Sequence, residues 1–204
     1  MSTDSPEFWD KTWGEAGAIG SGSDAILDAQ IGHLNPGRVL EIGCGLGGNA
    51  VWLAENGWQV TAVDYSAVAI EKGAQLADEK GVNVEFVVAD ASEYKPADVF
   101  DLIICFYIQM FPAQRASMLA NVSKALSPGG TLLFVSHDAS GSPSGWSDED
   151  LLSLTTPQQV IDELPELRIE QALVLEDQEG EHQTDGMNAS EGSRTTLVRA
   201  IRPM

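Results

Sequence analysis

The sequence predicts an α/β fold: a doubly wound, mostly parallel, seven-stranded sheet whose last strand runs antiparallel. Three observations lead there. From residue 37 short β-rich runs alternate with helix-like segments. A glycine-rich turn joins the first of these runs to the first of these helices. The last two strand-like runs have no helical pattern between them. Strands interleaved with helices imply right-handed crossovers and parallel pairing. Two strands joined without a crossover helix are most simply antiparallel neighbours.

Each element has its own signal. Residues 1–36 precede the sheet and read as one or two helices. Arg38–Ile42 is strand-like, and Gly47–Asn56 reads as a helix ending at Gly57. Gln59–Val63 is a second strand, and Ala67–Lys80 has helical spacing that stops at Gly81. Val84–Val88 and Leu102–Phe106 are further β-rich runs, the first closed by Asp90-Ala91. Ala113–Leu126 reads as a helix terminated by Ser127-Pro128-Gly129-Gly130, and Thr131–Val135 as a fifth strand. Ser140-Gly-Ser-Pro-Ser-Gly145 is a flexible connector leading to a short helix near Pro157–Leu164. Arg168–Leu175 and Thr195–Ile201 are the final strands, joined by the acidic, glycine-bearing Asp177–Ser193, long enough to be a flap. The expected organisation is one domain over 1–204. Its parts are an N-terminal helical segment (1–36), a core (37–136), and a substrate-side loop, helix and strand pair (137–204).

Composition narrows the function. With 204 residues, 43% of them hydrophobic, the chain can bury a real core. No apolar run approaches the roughly 20 residues that span a bilayer. Met1–Trp13 is acidic and lacks the regions of a signal peptide. The expectation is therefore a cytoplasmic protein with no membrane partner. Thirty-one acids against 11 bases give a net charge of −20. Such a surface repels a polyphosphate backbone, whose binding depends on Lys and Arg, so no nucleic-acid partner is expected. Cys44 and Cys105 sit in strand-like apolar surroundings, and His33, His137 and His182 are scattered without ligand spacing. No resident metal is expected.

The turn in Val39–Asp64, VLEIGCGLGGNAVWLAENGWQVTAVD, is where the chemistry concentrates. Gly43, Gly45 and Gly48 satisfy G-x-G-x-x-G, and Asp64 follows at the distance of the ribose acid in a Rossmann-like dinucleotide fold. NAD would bring a pyrophosphate, which wants exposed amides and no nearby anion. S-adenosylmethionine brings an ammonium, a carboxylate and a sulfonium, with no phosphate. Glu41, two residues before Gly43, suits the second ligand and opposes the first. Its alternative role is to accept local backbone hydrogen bonds. A Tyr-x-x-x-Lys pair of the short-chain dehydrogenase kind is also missing from the sequence.

Val39-Leu40-Glu41-Ile42-Gly43-Cys44-Gly45-Leu46-Gly47 resembles motif I of the class I S-adenosylmethionine-dependent methyltransferases. Val60–Asp64 matches their second motif, Val88-Ala89-Asp90-Ala91 the third, and Leu126–Gly130 the turn before strand five. The run Asn49–Ala54 with Gly57-Trp58 is similar to the small bacterial tellurite-resistance and thiopurine-methyltransferase-like group. The resemblance implies that the backbone at Gly43 and Gly45 passes close to the methionine part of S-adenosylmethionine. It implies that Asp64 accepts from the ribose hydroxyls, that Tyr65 lies against the adenine, and that Asp90 and the Ala91 amide bond the adenine. It also places Cys105 and Phe106 along the methionine tail and the methyl-transfer mouth. For Cys105 the competing reading is a buried core thiol.

Phe8-Trp9-Asp10-Lys11-Thr12-Trp13 puts two Trp rings at i and i+4 on one helical face. It resembles the aromatic lid of thiopurine-like and halide or thiol methyltransferases, where Trp13 would face the sulfonium. The alternative is a hydrophobic staple of the first helix onto the core. His137, directly after strand five, is the candidate general base; its alternative is a loop histidine that only orients its surroundings. After strand four the sequence is Cys105-Phe106-Tyr107-Ile108-Gln109, with no Asn-Pro-Pro-Tyr-like motif, which argues against nucleobase amino methylation. The resulting expectation is in-line methyl transfer to a small-molecule thiol, phenol, amine or metalloid oxyanion. A catalytically silent cofactor-binding module and an NAD(P)-dependent dehydrogenase are the alternatives.

Overall fold

Seven strands make one sheet: β1 (Arg38–Ile42), β2 (Gln59–Asp64), β3 (Val84–Val88), β4 (Phe100–Phe106), β5 (Leu126–His137), β6 (Arg168–Glu176) and β7 (Arg194–Ile201). Their spatial order is β3-β2-β1-β4-β5-β7-β6. The strands are those of a computed structural model that describes residues 5–17, 20–141, 146–176 and 193–204. β1 pairs in parallel with β2 and β4, β2 with β3, and β4 with β5. β7, last in sequence, inserts between β5 and β6 and runs antiparallel to both. The expected mixed sheet is therefore present.

Six helices accompany the sheet among the described residues: α1 (Pro6–Glu15), α2 (Ala25–Ile31), α3 (Gly48–Glu55), α4 (Ala67–Lys80), α5 (Pro112–Lys124) and α6 (Pro157–Asp162). Their starts follow local chemistry. Ser5, Asp24, Ser66 and Thr156 each accept a first-turn amide with the side chain. Prolines occupy the first turn of α1, α5 and α6, where no amide is needed. α4 stops at Gly81, whose φ of +69° suits glycine best.

The sheet buries both faces, and strand alternation decides which side chain goes where. Leu40, Ile42, Ile103, Leu132 and Phe134 pack with Met118, Leu119 and Val122 of α5 and Val160 of α6. Val39, Ala62, Leu102, Ile104 and Leu133 pack with Leu27 and Ile31 of α2 and Ala50 and Leu53 of α3. Glu41 shares the parity of Val39 and so faces α3, one turn below the glycine loop.

Most element ends fall within two residues of expectation, and the junction of α5 with β5 departs furthest. α5 begins at Pro112 and ends at Lys124, and β5 starts at Leu126, five residues earlier than the pattern implies. The cause is tertiary. Leu126 pairs with Phe100, and the Arg202 guanidinium donates to the carbonyls of Lys124 (2.8 Å) and Leu126 (2.6 Å). The backbone of Arg202 also bonds Gly129 and Gly130, drawing the Ser-Pro-Gly-Gly segment onto the sheet. A 3-10 turn at Asp150–Ser153 was not foreseen. Residues 142–145 of the connector and 177–192 of the acidic loop lie outside the described residues, as do 1–4 and 18–19. Among the described residues no helix is long and apolar enough to cross a membrane. Likewise, among the described residues no three His, Cys, Asp or Glu gather as a metal site.

Candidate active site

The strand order reverses direction between β1 and β4, and an α/β sheet opens a crevice beyond the carboxyl ends of such strands. A cavity of about 490 Å³ lies there. Its wall includes nine of the expected site residues: Trp13, Glu41, Gly43, Gly45, Asp64, Tyr65, Asp90, Ala91 and Phe106. Pro6, Trp9, Cys44, Asn49, Val88, Tyr107, Ile108, Gln109, Met110 and Gln114 also contribute.

The loop after β1 owes its shape to three left-handed glycines, Gly43 (φ +73°), Gly45 (+50°) and Gly47 (+79°). The amides of Gly43 and Cys44 both donate to the Val63 carbonyl, tying the loop to the end of β2. Gly47, and not Gly48, is the residue that opens α3 in a left-handed conformation. Side chains would spoil the cavity floor. A Cβ on Gly43 would lie 3.0 Å from Ile108, and one on Gly45 3.2 Å from the Trp13 ring.

Three carboxyl groups line the cavity. Asp64 accepts from the Gly45 amide and from the Ser66 amide, each at 2.9 Å, one on each oxygen. Those bonds fix the carboxylate plane and leave acceptor capacity on both oxygens. Burial raises its affinity for a proton, and the Ser66, Gly45 and Tyr65 amides oppose the rise. Asp90 accepts from the Ser92 amide (2.8 Å) and hydroxyl (2.7 Å), closing an Asx turn after β3.

Glu41 is the unusual member. It is buried, its Oε1 accepts a long bond (3.3 Å) from Asn49 Nδ2, the Ala50 amide adds a weaker contribution at the carboxyl, and its Oε2 has no hydrogen-bond partner. Asn49 Oδ1 accepts the Asp24 amide, so its NH2 is turned toward Glu41. Burial above all, with a contribution from Asp64, pushes the Glu41 carboxyl up to about 8. The alternative role read from the sequence, as an acceptor of local backbone amides, is met in part by Ala50 and still leaves Oε2 unpartnered. Burial also lifts the thiol of neighbouring Cys44 well above its ordinary value, and Asp64 and Glu41 add to that rise.

α1 roofs the cavity. The rings of Trp9 and Trp13 stack at 5.7 Å, and Trp13 is buried against Leu46 and Ala69. Two polar clamps hold this helix on α4. Asp10 accepts from the Ser66 hydroxyl (2.6 Å) and the Val68 amide (3.3 Å) at the α4 N-terminus. Lys72 Nζ donates to the carbonyls of Trp13 (2.5 Å), Gly14 (3.3 Å) and Ala16 (2.9 Å), where the α1 dipole is negative.

The far wall is the chain leaving β4. Tyr107 has φ +52°, the one left-handed non-glycine among the described residues. Such a conformation costs roughly 1–3 kcal/mol and persists where the surroundings enforce it. Here the Tyr107 amide is bonded to the Val135 carbonyl, its ring packs on His137 at 5.1 Å, and its hydroxyl lies 3.4 Å from Thr195 Oγ1. The kink brings Ile108 and Gln109 into the cavity wall, where the Gln109 amide oxygen is buried without a partner.

Two expected site residues lie elsewhere. Cys105 is fully buried among the α5 side chains, its thiol 3.8 Å from the Met118 sulfur, because strand alternation turns it to that face. Its placement along the methionine tail is corrected to core. His137 is 4% exposed and is not in the cavity wall; its ring sits against Tyr107 and Trp146, at 5.1 and 5.0 Å. The candidate general base therefore lies behind the wall residue Tyr107, a placement that suits its alternative role of orienting its surroundings. Asn49 and Gln109 emerge as wall residues that the sequence reading did not assign. Asn49 carried a signal, since it faces Glu41 from the start of the helix after the motif. Gln109 carried none, because the Tyr107 kink that delivers it depends on β5.

The site suits S-adenosylmethionine on its own features. The unpartnered Glu41 oxygen invites a cation, the side-chain-free glycine loop admits close backbone approach, and Asp64 offers a braced pair of acceptors. Comparison with known proteins agrees. A family model described as "Methyltransferase domain" matches residues 39–130. The chain is 33% identical over 157 residues to a probable thiol methyltransferase 2 of Arabidopsis thaliana, covering 70% of this chain and 68% of that one. It is 34% identical over 122 residues to the tRNA 5-carboxymethoxyuridine methyltransferase of Escherichia coli, covering 56% of this chain and 46% of that one. Among solved structures, TehB from Haemophilus influenzae superimposes with a TM-score of 0.70 at 18% identity, over 97% of this chain and 66% of that one.

Proposed function

This chain belongs to the S-adenosylmethionine-dependent methyltransferases, and from that premise we propose that it methylates a small molecule as a single domain. When bound, S-adenosylmethionine supplies an electrophilic methyl group, so what remains for the protein is to hold, orient and exclude water. The observation that carries the reading is Glu41, a buried carboxyl with one unpartnered oxygen beside an open glycine loop. An ammonium answers that oxygen by donating to it and letting it ionise, whereas a pyrophosphate has no donor to offer it.

In this reading Gly43 and Gly45 admit the methionine part, with Glu41 receiving its ammonium. Asp64 accepts the ribose hydroxyls and Asp90 the adenine amine, while the Ala91 amide donates to the ring. Tyr65 and the exposed face of Val88 flank the adenine. Phe106, Trp9 and Trp13 form an apolar and aromatic mouth at which the acceptor meets the methyl group, the Trp rings attracting positive charge. His137 acts through Tyr107, as a positioning residue.

The small size of the acceptor is supported by charge and by one relative. A surface of net charge −20 opposes an RNA backbone, whatever the tRNA-modifying relative does. The probable thiol methyltransferase, for its part, is named for a thiol acceptor. Calorimetry with S-adenosylhomocysteine and with NADH, followed by labelled methyl transfer to thiols, phenols, amines and oxyanions, tests the reading. Tight S-adenosylhomocysteine binding with transfer to one class supports it. Binding without transfer to any class points to a silent cofactor module, and preferential NADH binding overturns it.

A further inference from the structure

We propose that the methyl acceptor is an amine entering as its uncharged base, with Gln109 receiving its N–H; this rests on the methyl-transfer reading above. The cations of the chain lie away from the cavity. There are 11 Lys and Arg, and every one lies among the described residues, because segments 1–4, 18–19, 142–145 and 177–192 contain neither. None of the 11 lines the cavity. Several are committed elsewhere: Arg115 to Glu163, Arg199 to Glu170, and Lys72 to the end of α1. No arrangement of the acidic loop over the site would add a Lys or Arg to it.

The cavity wall carries three carboxyl groups instead, Glu41, Asp64 and Asp90. Apart from the cofactor's own sulfonium, an anionic acceptor would lose its hydration beside them without a fixed countercharge from the protein. That disfavours carboxylates, metalloid oxyanions and thiolates together. Thiols and phenols react as their anions, and the site has an internal gauge of how it treats one. Burial above all, with Asp64 and Glu41 adding to it, raises the Cys44 thiol in the same wall.

An amine escapes this restriction because the neutral base is itself the nucleophile. Its nitrogen lone pair forms the new N–C bond as the sulfur–carbon bond breaks with its electron pair returning to sulfur. Positive charge passes to the nitrogen, and the proton leaves to water after release. Gln109 supplies the geometry. Its amide oxygen is buried and lacks a donor, a cost recovered when an acceptor N–H arrives. Holding the N–H fixes the direction of the lone pair.

The test uses the full chain with labelled S-adenosylmethionine and six probes: aniline, n-butylamine, phenol, thiophenol, benzoate and tellurite. The amines are expected to show kcat/KM at least ten-fold above the other four. Transfer chiefly to thiophenol, phenol, benzoate or tellurite overturns the amine assignment and leaves methyl transfer standing. S-adenosylhomocysteine binding with no transfer to any probe removes the catalytic reading on which it depends. Gln109→Leu should raise KM for the better amine at least ten-fold, with S-adenosylhomocysteine affinity unchanged within two-fold. Gln109→Glu, which keeps an oxygen in place, should recover most of that KM. Calorimetric titration of the same amine onto the S-adenosylhomocysteine complex should weaken in parallel for the leucine variant. A leucine variant with the parent KM and amine affinity overturns the role of Gln109.

Discussion

Glu41→Gln separates what this carboxyl costs the free protein from what it contributes to binding. Burial pushes Glu41 from an ordinary 4.5 up to about 8, whereas in the unfolded chain it ionises near 4.5. Below pH 4.5 both states hold the proton and the group is neutral to stability. As pH rises the unfolded chain gains by ionising and the folded chain does not, so stability is lost until pH passes about 8. At 1.36 kcal/mol per unit the penalty is about 3 kcal/mol at pH 7 and about 5 kcal/mol above pH 8. Glutamine keeps an oxygen for Asn49 and replaces one unpartnered O–H with an unpartnered N–H, so it removes the ionisation penalty with little else changed. The ligand-free variant should therefore melt with the parent near pH 5 and roughly 6–12 °C above it at pH 7. Scanning calorimetry across pH 5–8.5 measures this. With saturating S-adenosylhomocysteine the difference should shrink or invert, because a bound ammonium lets Glu41 ionise, and the variant should bind about ten- to a hundred-fold more weakly. A melting difference independent of pH, or a ligand-free variant less stable than the parent at pH 8, would refute the reasoning.

Ligand binding at pH 7 should release close to one proton from the parent protein and almost none from Glu41→Gln, read from calorimetry in buffers of different ionisation enthalpy. Gly43→Ala sets a Cβ 3.0 Å from Ile108 at a φ of +73° and should cost about 1–2 kcal/mol of stability, with S-adenosylhomocysteine affinity falling further. An alanine variant with parental melting and affinity would show that the loop does not need glycine there. Lys72→Met removes the clamp on α1 while keeping an apolar stem, and should speed S-adenosylhomocysteine release about three- to ten-fold in stopped-flow, with faster amide exchange confined to α1. His137→Phe keeps a ring against Tyr107 and Trp146 and should retain most turnover. A loss of about a hundred-fold or more, at unchanged cofactor affinity, would put the imidazole into the proton transfer after all.

Local chemistry in the sequence determined much of this molecule. The glycine loop, the strand-helix alternation and the acidic residues ending β2 and following β3 are short-range patterns, and the cofactor end of the cavity is assembled from them. Glu41 was legible for the same reason: its charge and its place one step before the loop do not depend on distant contacts. Strand parity was legible too, yet it worked against Cys105, since alternate residues of β4 face opposite layers and only Phe106 turns toward the cavity. What the sequence alone left undecided depends on pairings between distant segments. The start of β5 waits on Arg202, the roof over the cavity on Asp10 and Lys72 meeting α4, and the retreat of His137 on packing against Tyr107 and Trp146. Gln109 reaches the wall because β5 holds Tyr107 in a conformation its own residue type disfavours. Local propensity writes the cofactor end of the site, and long-range packing decides the end that chooses the acceptor.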